Sequence, residues 1–311
     1  MAFIQEFGCY LPEHIATNEE IATLAGCTPE WIVNVSGIIE RRFARPDETV
    51  TDMAVLAAED CLARAGLAPS DLGLILVSSG SSERRFPGPA AQVARRMGLD
   101  STPAIDVPMA SAGSLFAMSL ADRLARDFGN ILVVAAEKMS TIALSHPVER
   151  GISILFGDGA GACLISRDRG IASIEGSALY SDGSFAEDLT LPLEGCLSMN
   201  GRSVIMQVTR KLPRVLREVV EANGHSPIEV EVFLLHQANS NVITRVAQSL
   251  EVPEDRFYSN IARYGNTSSA SMLIAAAEWS RQHGFTPGLR AAFGGFGAGF
   301  HWGALLAVGV R

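Results

Sequence analysis

Apolar runs of strand length alternate with segments of helical period along this chain, and that alternation most limits the folds open to it. Leu72–Val77, Ala104–Val107 and Asn130–Ala135 read as buried strands. Thr51–Ala65, Ala90–Met97 and Ser114–Ala125 read as helices between them. The alternation predicts an α/β architecture with a largely parallel core sheet. At 311 residues the chain can bury one large core or two intimate halves.

A faint internal repeat has a period of half the chain. Its first copy runs from Val93-Ala94-Arg95-Arg96-Met97-Gly98-Leu99 through a strand ending at Asp106-Val107 to Ala110-Ser111-Ala112-Gly113 and a helix. Its second runs from Val246-Ala247-Gln248-Ser249-Leu250-Glu251-Val252 through a strand near Asn260-Ile261 to Gly265-Asn266-Thr267-Ser268 and a helix. Both copies place small polar residues at a strand-to-helix turn. In a duplicated fold those turns face one another, which sets Ser111 near Asn266. The polar stretch Ser166-Arg167-Asp168-Arg169-Gly170 marks the junction. The expected halves are residues 1–168, carrying Ser111, and 169–311, carrying His236 and Asn266.

Composition removes several classes of function. Hydrophobic residues make up 48% of the chain and charged ones 19%, the balance of a well-buried globule. No apolar run reaches the roughly 18 residues of a membrane helix, and the N-terminus lacks a secretory pattern. A cytoplasmic protein without membrane insertion is therefore expected. The net charge of −9 argues against nucleic acid as a partner, though it leaves room for a local basic patch that docks an acidic carrier. Cys9, Cys27, Cys61, Cys163 and Cys196 are odd in number and widely spaced, so buried reduced thiols are expected rather than disulfides or a metal site.

Ser111 lies in Asp106-Val107-Pro108-Met109-Ala110-Ser111-Ala112-Gly113, at the start of a helix. Helix N-termini present unpaired N–H groups and partial positive charge, so a side chain there can attack a carbonyl while amides hold the oxyanion. The same position also suits a plain N-cap serine. His236 follows the apolar run Val232-Phe233-Leu234-Leu235, at the strand end where open α/β sheets place their sites. It can serve as base or hydrogen-bond donor, or as a satisfied core histidine. Asn266 is a turn residue or an amide donor. The Gly-rich stretches Phe156–Gly161 and Phe293–Gly299 lack the Lys-Ser/Thr of a phosphate loop, and close backbone packing explains them better.

Taken in order, these segments resemble ketoacyl-ACP synthase III, a thiolase-fold condensing enzyme. The resemblance runs from Gly8 to the C-terminus. It is carried by Trp31-Ile32-Val33 with Gly37-Ile38-Ile39-Glu40-Arg41-Arg42, by Phe156-Gly157-Asp158-Gly159-Ala160-Gly161 and by Ser181-Asp182-Gly183-Ser184. His236-Gln237-Ala238-Asn239, Gly265-Asn266-Thr267-Ser268 and Gly297-Ala298-Gly299-Phe300-His301-Trp302-Gly303 complete it. It implies duplicated α/β halves in a five-layered αβαβα thiolase fold and a homodimer. It implies CoA or phosphopantetheine thioesters as substrates, acyl-CoA or acyl carrier protein as partners, and no resident cofactor or metal. Ser111 takes the nucleophile position, and His236 and Asn266 match the pair that binds the thioester carbonyl and promotes decarboxylation. Backbone amides of Ser111 and Ala298 would form the oxyanion hole. Phe86 matches a residue that closes the partner's acyl pocket, while Trp31 and Arg150 match those that sandwich adenine. Met109, Leu155, Arg202, Ile205, Ala238 and Asn239 are implied to line the acyl pocket or pantetheine tunnel.

The departures point to a specialised pathway. Val35 stands where family members commonly carry arginine, and Arg202 replaces an asparagine. Met206, Asn241, Gln248 and Ser249 replace basic carrier-docking positions. Above all, the nucleophile position holds serine where the family has cysteine. A serine hydroxyl needs a general base, and His236 is the candidate. Three readings stay open: a serine that carries acyl groups for condensation or for transfer to an alcohol or amine, a replacement that traps a complex, and a non-catalytic partner subunit.

Overall fold

The structure, a computed structural model, describes residues 2–310. Strands β1 (Phe3–Tyr10), β2 (Leu74–Ser78), β3 (Ala104–Val107), β4 (Ile131–Lys138) and β5 (Asp158–Ser166) form the first half-sheet. Strands β6 (Ala172–Ser181), β7 (Val232–Leu235), β8 (Arg290–Gly297) and β9 (His301–Gly309) form the second. Their order is β7-β8-β9-β6-β1-β5-β4-β2-β3, and the half-sheets touch where Phe3 and Ile4 pair with Ser173 and Ala172.

The duplication is visible in the pairing. β2 runs parallel to β4, which is antiparallel to β5, which is antiparallel to β1. In the second half β7 runs parallel to β8, β8 antiparallel to β9, and β9 antiparallel to β6. The expectation of a largely parallel sheet is thus corrected to a mixed one. At β8–β9 no crossover helix separates consecutive strands and the chain reverses direction, while β1 runs antiparallel to both β5 and β6, which flank it. The expected strand at Asn260-Ile261 is also absent: a single bridge of Phe257 to Phe233 stands there, followed by a short helix Ile261–Tyr264. The Asn260 amide N–H and side chain bond instead to Gln237 Oε1 and Glu278, which removes them from any ladder.

Helices complete five layers. Helix α1 (Val50–Ala65) covers one face of β1, β4 and β5. Helix α2 (Gly113–Phe128) lies in the middle, against β4 and β5 on one side and β8 and β9 on the other. Helices α3 (Gly201–Ala222) and α4 (Ser240–Leu250) cover the outer face of the second half-sheet. Helix α5 (Ser271–His283) joins α2 in the middle layer, packed on β1, β5 and β7. Among the described residues no helix is long and apolar enough to cross a membrane. All five cysteines are free; Cys61 and Cys163 are buried and the other three half-buried, so burial of the thiols is only partly as expected.

The central layer has no slack. A Cβ added at Gly161 of β5 would lie 2.6 Å from Leu273 Cβ and 2.9 Å from Ile274 N. Gly161→Ala is therefore expected to cost about 1–3 kcal/mol through overpacking. Urea unfolding followed by circular dichroism measures this, and an unchanged midpoint would refute so tight a fit.

Candidate active site

Ser111 occupies the turn between β3 and α2 with φ of 63°, a left-handed conformation that costs a serine energy. The surrounding structure holds it there: the Ser111 N–H donates to Ser268 Oγ at 3.0 Å, and the two hydroxyls lie 3.5 Å apart. Ser268 is itself left-handed, with φ of 46°. The two repeat-related turns thus meet across the halves. The end of β8 also packs tightly on the Ser111 turn, since a Cβ at Gly297 would lie 2.8 Å from Ala112 N.

Asn266 is fixed from three sides. Its N–H donates to Leu155 O at 2.8 Å, and its carbonyl accepts from Gly157 N at 3.1 Å. Ser268 N–H donates to its Oδ1 at 2.9 Å. A backbone N–H can only donate, so this contact sets the flip of the amide and leaves Nδ2 as its donor end. Gly265, with φ of 64°, makes the turn possible.

His236 is buried at the end of β7, edge-on to Phe296. Its Nδ1 lies 2.6 Å from Ser271 Oγ, which also accepts from Gln237 N–H at 3.1 Å and lies 3.0 Å from Ser268 O. One assignment satisfies all three contacts: Ser271 donates its single proton to the Ser268 carbonyl, and Nδ1–H donates to Ser271. The imidazole then presents Nε2 as a bare acceptor. Burial pulls the pKa of His236 down to about 3, so the ring is neutral near pH 7.

That shift predicts an acid-dependent loss of stability. The unfolded histidine takes up a proton near pH 6.5, whereas the folded one resists to about 3. Between those values the unfolded state binds more protons, so stability falls as pH drops, by up to about 1.4 kcal/mol per pH unit. His236→Gln removes this dependence. Urea titrations should show the gap between parent and variant narrowing by about 1.5 kcal/mol from pH 6.5 to 5. A gap that does not move with pH would contradict a neutral buried imidazole.

Ser111, His236 and Asn266 line one open cleft with Leu155, Ile205, Ala238 and Asn239. His236 is the one titratable side chain among its lining residues. A second cavity shares Ser111, Phe156 and Leu189 with the first. It adds apolar walls from Met139, Ile142, Leu191 and Leu197, and Ala298 lines it beside Ser111 and Ser268.

Other expected residues lie elsewhere. Phe86 is 87% exposed and lines neither cavity, and Met109 packs into the core instead. Arg202 is exposed beside the cleft residue Gly201. The Arg150 guanidinium sits 5.1 Å over the Trp31 ring, so these two are brought together, outside both cavities. The Ser111 amide expected in the oxyanion hole already has Ser268 Oγ as its acceptor.

Three residues escape sequence reasoning. Ser268 and Ser271 tie Ser111 and His236 to one turn. Glu137 is fully buried and accepts from Ser269 Oγ at 2.6 Å, Ser81 Oγ at 2.5 Å and Gly80 N at 3.0 Å. It clamps that turn to the Gly80 loop. Burial pushes its pKa up and these donors pull it back. Ser268 falls inside a recognisable turn motif; nothing local marks Ser271 or Glu137.

The family described as 3-oxoacyl-[acyl-carrier-protein (ACP)] synthase III matches residues 105–183, and its C-terminal counterpart matches 220–308. A beta-ketoacyl-[acyl-carrier-protein] synthase III of Sodalis glossinidius is 38% identical over 312 residues, spanning 96% of each chain. The crystal structure of 3-oxoacyl-[acyl-carrier-protein] synthase III from Aquifex aeolicus superposes with a TM-score of 0.94 at 34% identity, over 99% of this chain and 100% of that one. The priming beta-ketosynthase of the R1128 polyketide biosynthetic pathway gives 0.91 at 30% identity, over 99% and 96%.

Proposed function

Because this chain belongs to the beta-ketoacyl-[acyl-carrier-protein] synthase III family of acyltransferases, we propose that it moves an acyl group from a CoA or carrier thioester through an ester on Ser111. The observation that carries this reading is the pairing, in one cleft, of Ser111 with a neutral histidine whose Nδ1 is committed to Ser271. Ser111 Oγ attacks the thioester carbonyl, its proton passes to His236 Nε2, and the C–S bond breaks. The proton then goes to the departing sulfur, which leaves as a thiol. The low basicity of His236 disfavours a lasting imidazolium, so uptake and release of the proton stay coupled. Ser111 N–H, on exchanging Ser268 Oγ for the acyl oxygen, and Ala298 N–H stabilise the oxyanion.

The acceptor is a malonyl thioester held through its carbonyl by Asn266 Nδ2; it loses CO2, its carbon attacks the Ser111 ester, and the ester C–O bond breaks so that Ser111 Oγ leaves and regains a proton from solvent. Serine favours this slower, oxygen-ester route over ordinary fatty-acid priming, as do the non-basic Met206, Asn241, Gln248 and Ser249 around the docking helices. The Trp31–Arg150 pair suits an adenine stacked between indole and guanidinium. A homodimer is supported by the open outer edge of β3, which among the described residues pairs only with β2 and exposes 49% of Ile105. Intact-protein mass spectrometry after incubation with acyl-CoA and acyl-carrier donors tests the reading. One added acyl group per chain, mapped to Ser111, is expected; no adduct with any donor and no CO2 from malonyl thioesters would overturn it.

A further inference from the structure

Helix α3 lines the cleft with Val204 and Val208, and one turn further along the same face stands Lys211. The Lys211 side chain is only 8% exposed. Its Nζ donates to Asp182 Oδ2 at 2.7 Å. It also lies 4.3 Å from the centre of the Trp302 ring, 4.7 Å from Phe185 and 5.3 Å from Phe300. One carboxylate and three aromatic rings thus stand in for water around the charge. Asp182 Oδ1 is taken by the hydroxyl and N–H of Ser184, at 2.6 and 3.2 Å, so Lys211 is what links the Asp182 side chain to another element. Asp182 and Phe300 in turn exchange main-chain bonds. The Asp182 N–H donates to Phe300 O at 2.9 Å, and the Phe300 N–H to Asp182 O at 3.3 Å. Phe300 closes the turn that joins β8 to β9, and the other end of that turn, Gly297, packs on Ala110 and Ala112. Ala298 is suspended between these two anchors, beside Ser111.

We propose that Lys211 is a positioning residue: through Asp182 and Phe300 it holds the turn after β8 so that the Ala298 N–H is set toward the acyl oxygen on Ser111. The inference rests on the acyl-serine reading, which gives that amide its task. An oxyanion donor helps only if it is already in place when charge develops, and small displacements are costly. The turn has little rigidity of its own, because Gly297 and Gly299 flank Ala298 and leave its backbone free to swing. The anchor at Phe300 is as firm as Asp182, and Lys211 makes Asp182 firm. Because Lys211 belongs to the helix that lines the cleft, the same tie keeps that wall in register with the turn.

Lys211→Met removes the charge but keeps an unbranched chain among the rings, and Asp182, about a third exposed, can return its carboxylate to water, so folding should survive. Hydrogen exchange read by mass spectrometry reports on the turn directly. Amides of residues 298–302 should exchange about tenfold faster or more, with those of β4 unchanged. Acyl loading from a CoA donor should slow about 10–100-fold. Affinity for a non-transferable alkyl-CoA thioether should stay the same, since the oxyanion exists only on the way to the ester. Asp182→Asn should act alike, and the double variant should lose no more than either single one. Lys211→Arg, which keeps the charge and its stacking on the rings, should restore most of the rate. Unchanged exchange at 298–302, faster exchange with loading at the parent's rate, or additive losses in the double variant would overturn the inference. Faster exchange there, in a protein whose parent form takes up no acyl group, leaves the tie standing and rejects the acyl-serine reading.

Discussion

Ser111→Ala is expected to gain no acyl mass from a donor that loads the parent protein, a loss on the order of 10⁴-fold or more in loading rate. The hydroxyl is the only group at that turn able to form the ester, and the turn's left-handed backbone tolerates alanine about as well as serine, so folding should survive. Ser111→Cys should load faster than the parent. A thiol with an ordinary pKa of about 8.5 is partly ionised near neutrality, and a helix N-terminus lowers that further. Time-resolved intact-mass measurements on the three proteins separate the cases. Loading of Ser111→Ala at the parent's rate would place the acyl anchor elsewhere. Loading of the cysteine form alone would mean that serine traps rather than turns over.

His236→Ala should slow loading of Ser111 by about 10²–10⁴-fold, the usual contribution of a positioned general base. Among the described residues no other titratable side chain lines the cleft, so no neighbour is placed to take over the proton. Asn266→Ala should behave differently. In the proposed reaction its amide donates to the acceptor's carbonyl and not to the hydroxyl of Ser111, so loading should persist while CO2 release from a malonyl thioester falls. Parallel assays of acyl adduct and CO2 read the split. Equal losses of both activities in both variants would show that the two residues act as one unit, with no division of roles between them.

The elements of the first half are largely legible in the sequence. Ala104–Val107 matches its strand to the residue, and α1 and α2 extend the expected helices by only a few positions. These segments announce themselves through local periodicity. The second half is less so. Asn260-Ile261 looks like the counterpart of Asp106-Val107, but partners distant in sequence, Gln237 and Glu278, claim Asn260. The direction of strand pairing is hidden for a related reason. A run such as β5 is equally apolar in a parallel or an antiparallel sheet, and even the long connection over 139–157 does not reveal that it returns antiparallel to β4. At the site, Ser111, His236 and Asn266 stand in recognisable local settings. Ser271 and Glu137 do not, because their roles exist only once a turn near residue 270 has folded against segments from elsewhere in the chain. The inferred positioning residue is equally silent: Lys211 is one basic residue among several on its helix until Asp182 and three aromatic rings close around it.

Strand β1 bears on how the protein emerges from a ribosome. It lies at the seam of the sheet, paired on one side with β5 and on the other with β6, so all its partners come after residue 157. At typical synthesis rates of about 5–20 residues per second, Phe3–Tyr10 waits roughly ten seconds or longer before either edge can be satisfied. Until then Ile4 and Phe7, both fully buried in the finished molecule, lack the strands that flank them there. The nascent chain therefore carries an unpaired strand through much of the translation of its own sheet, and its yield in a cell should depend on chaperone supply more than its final stability would suggest.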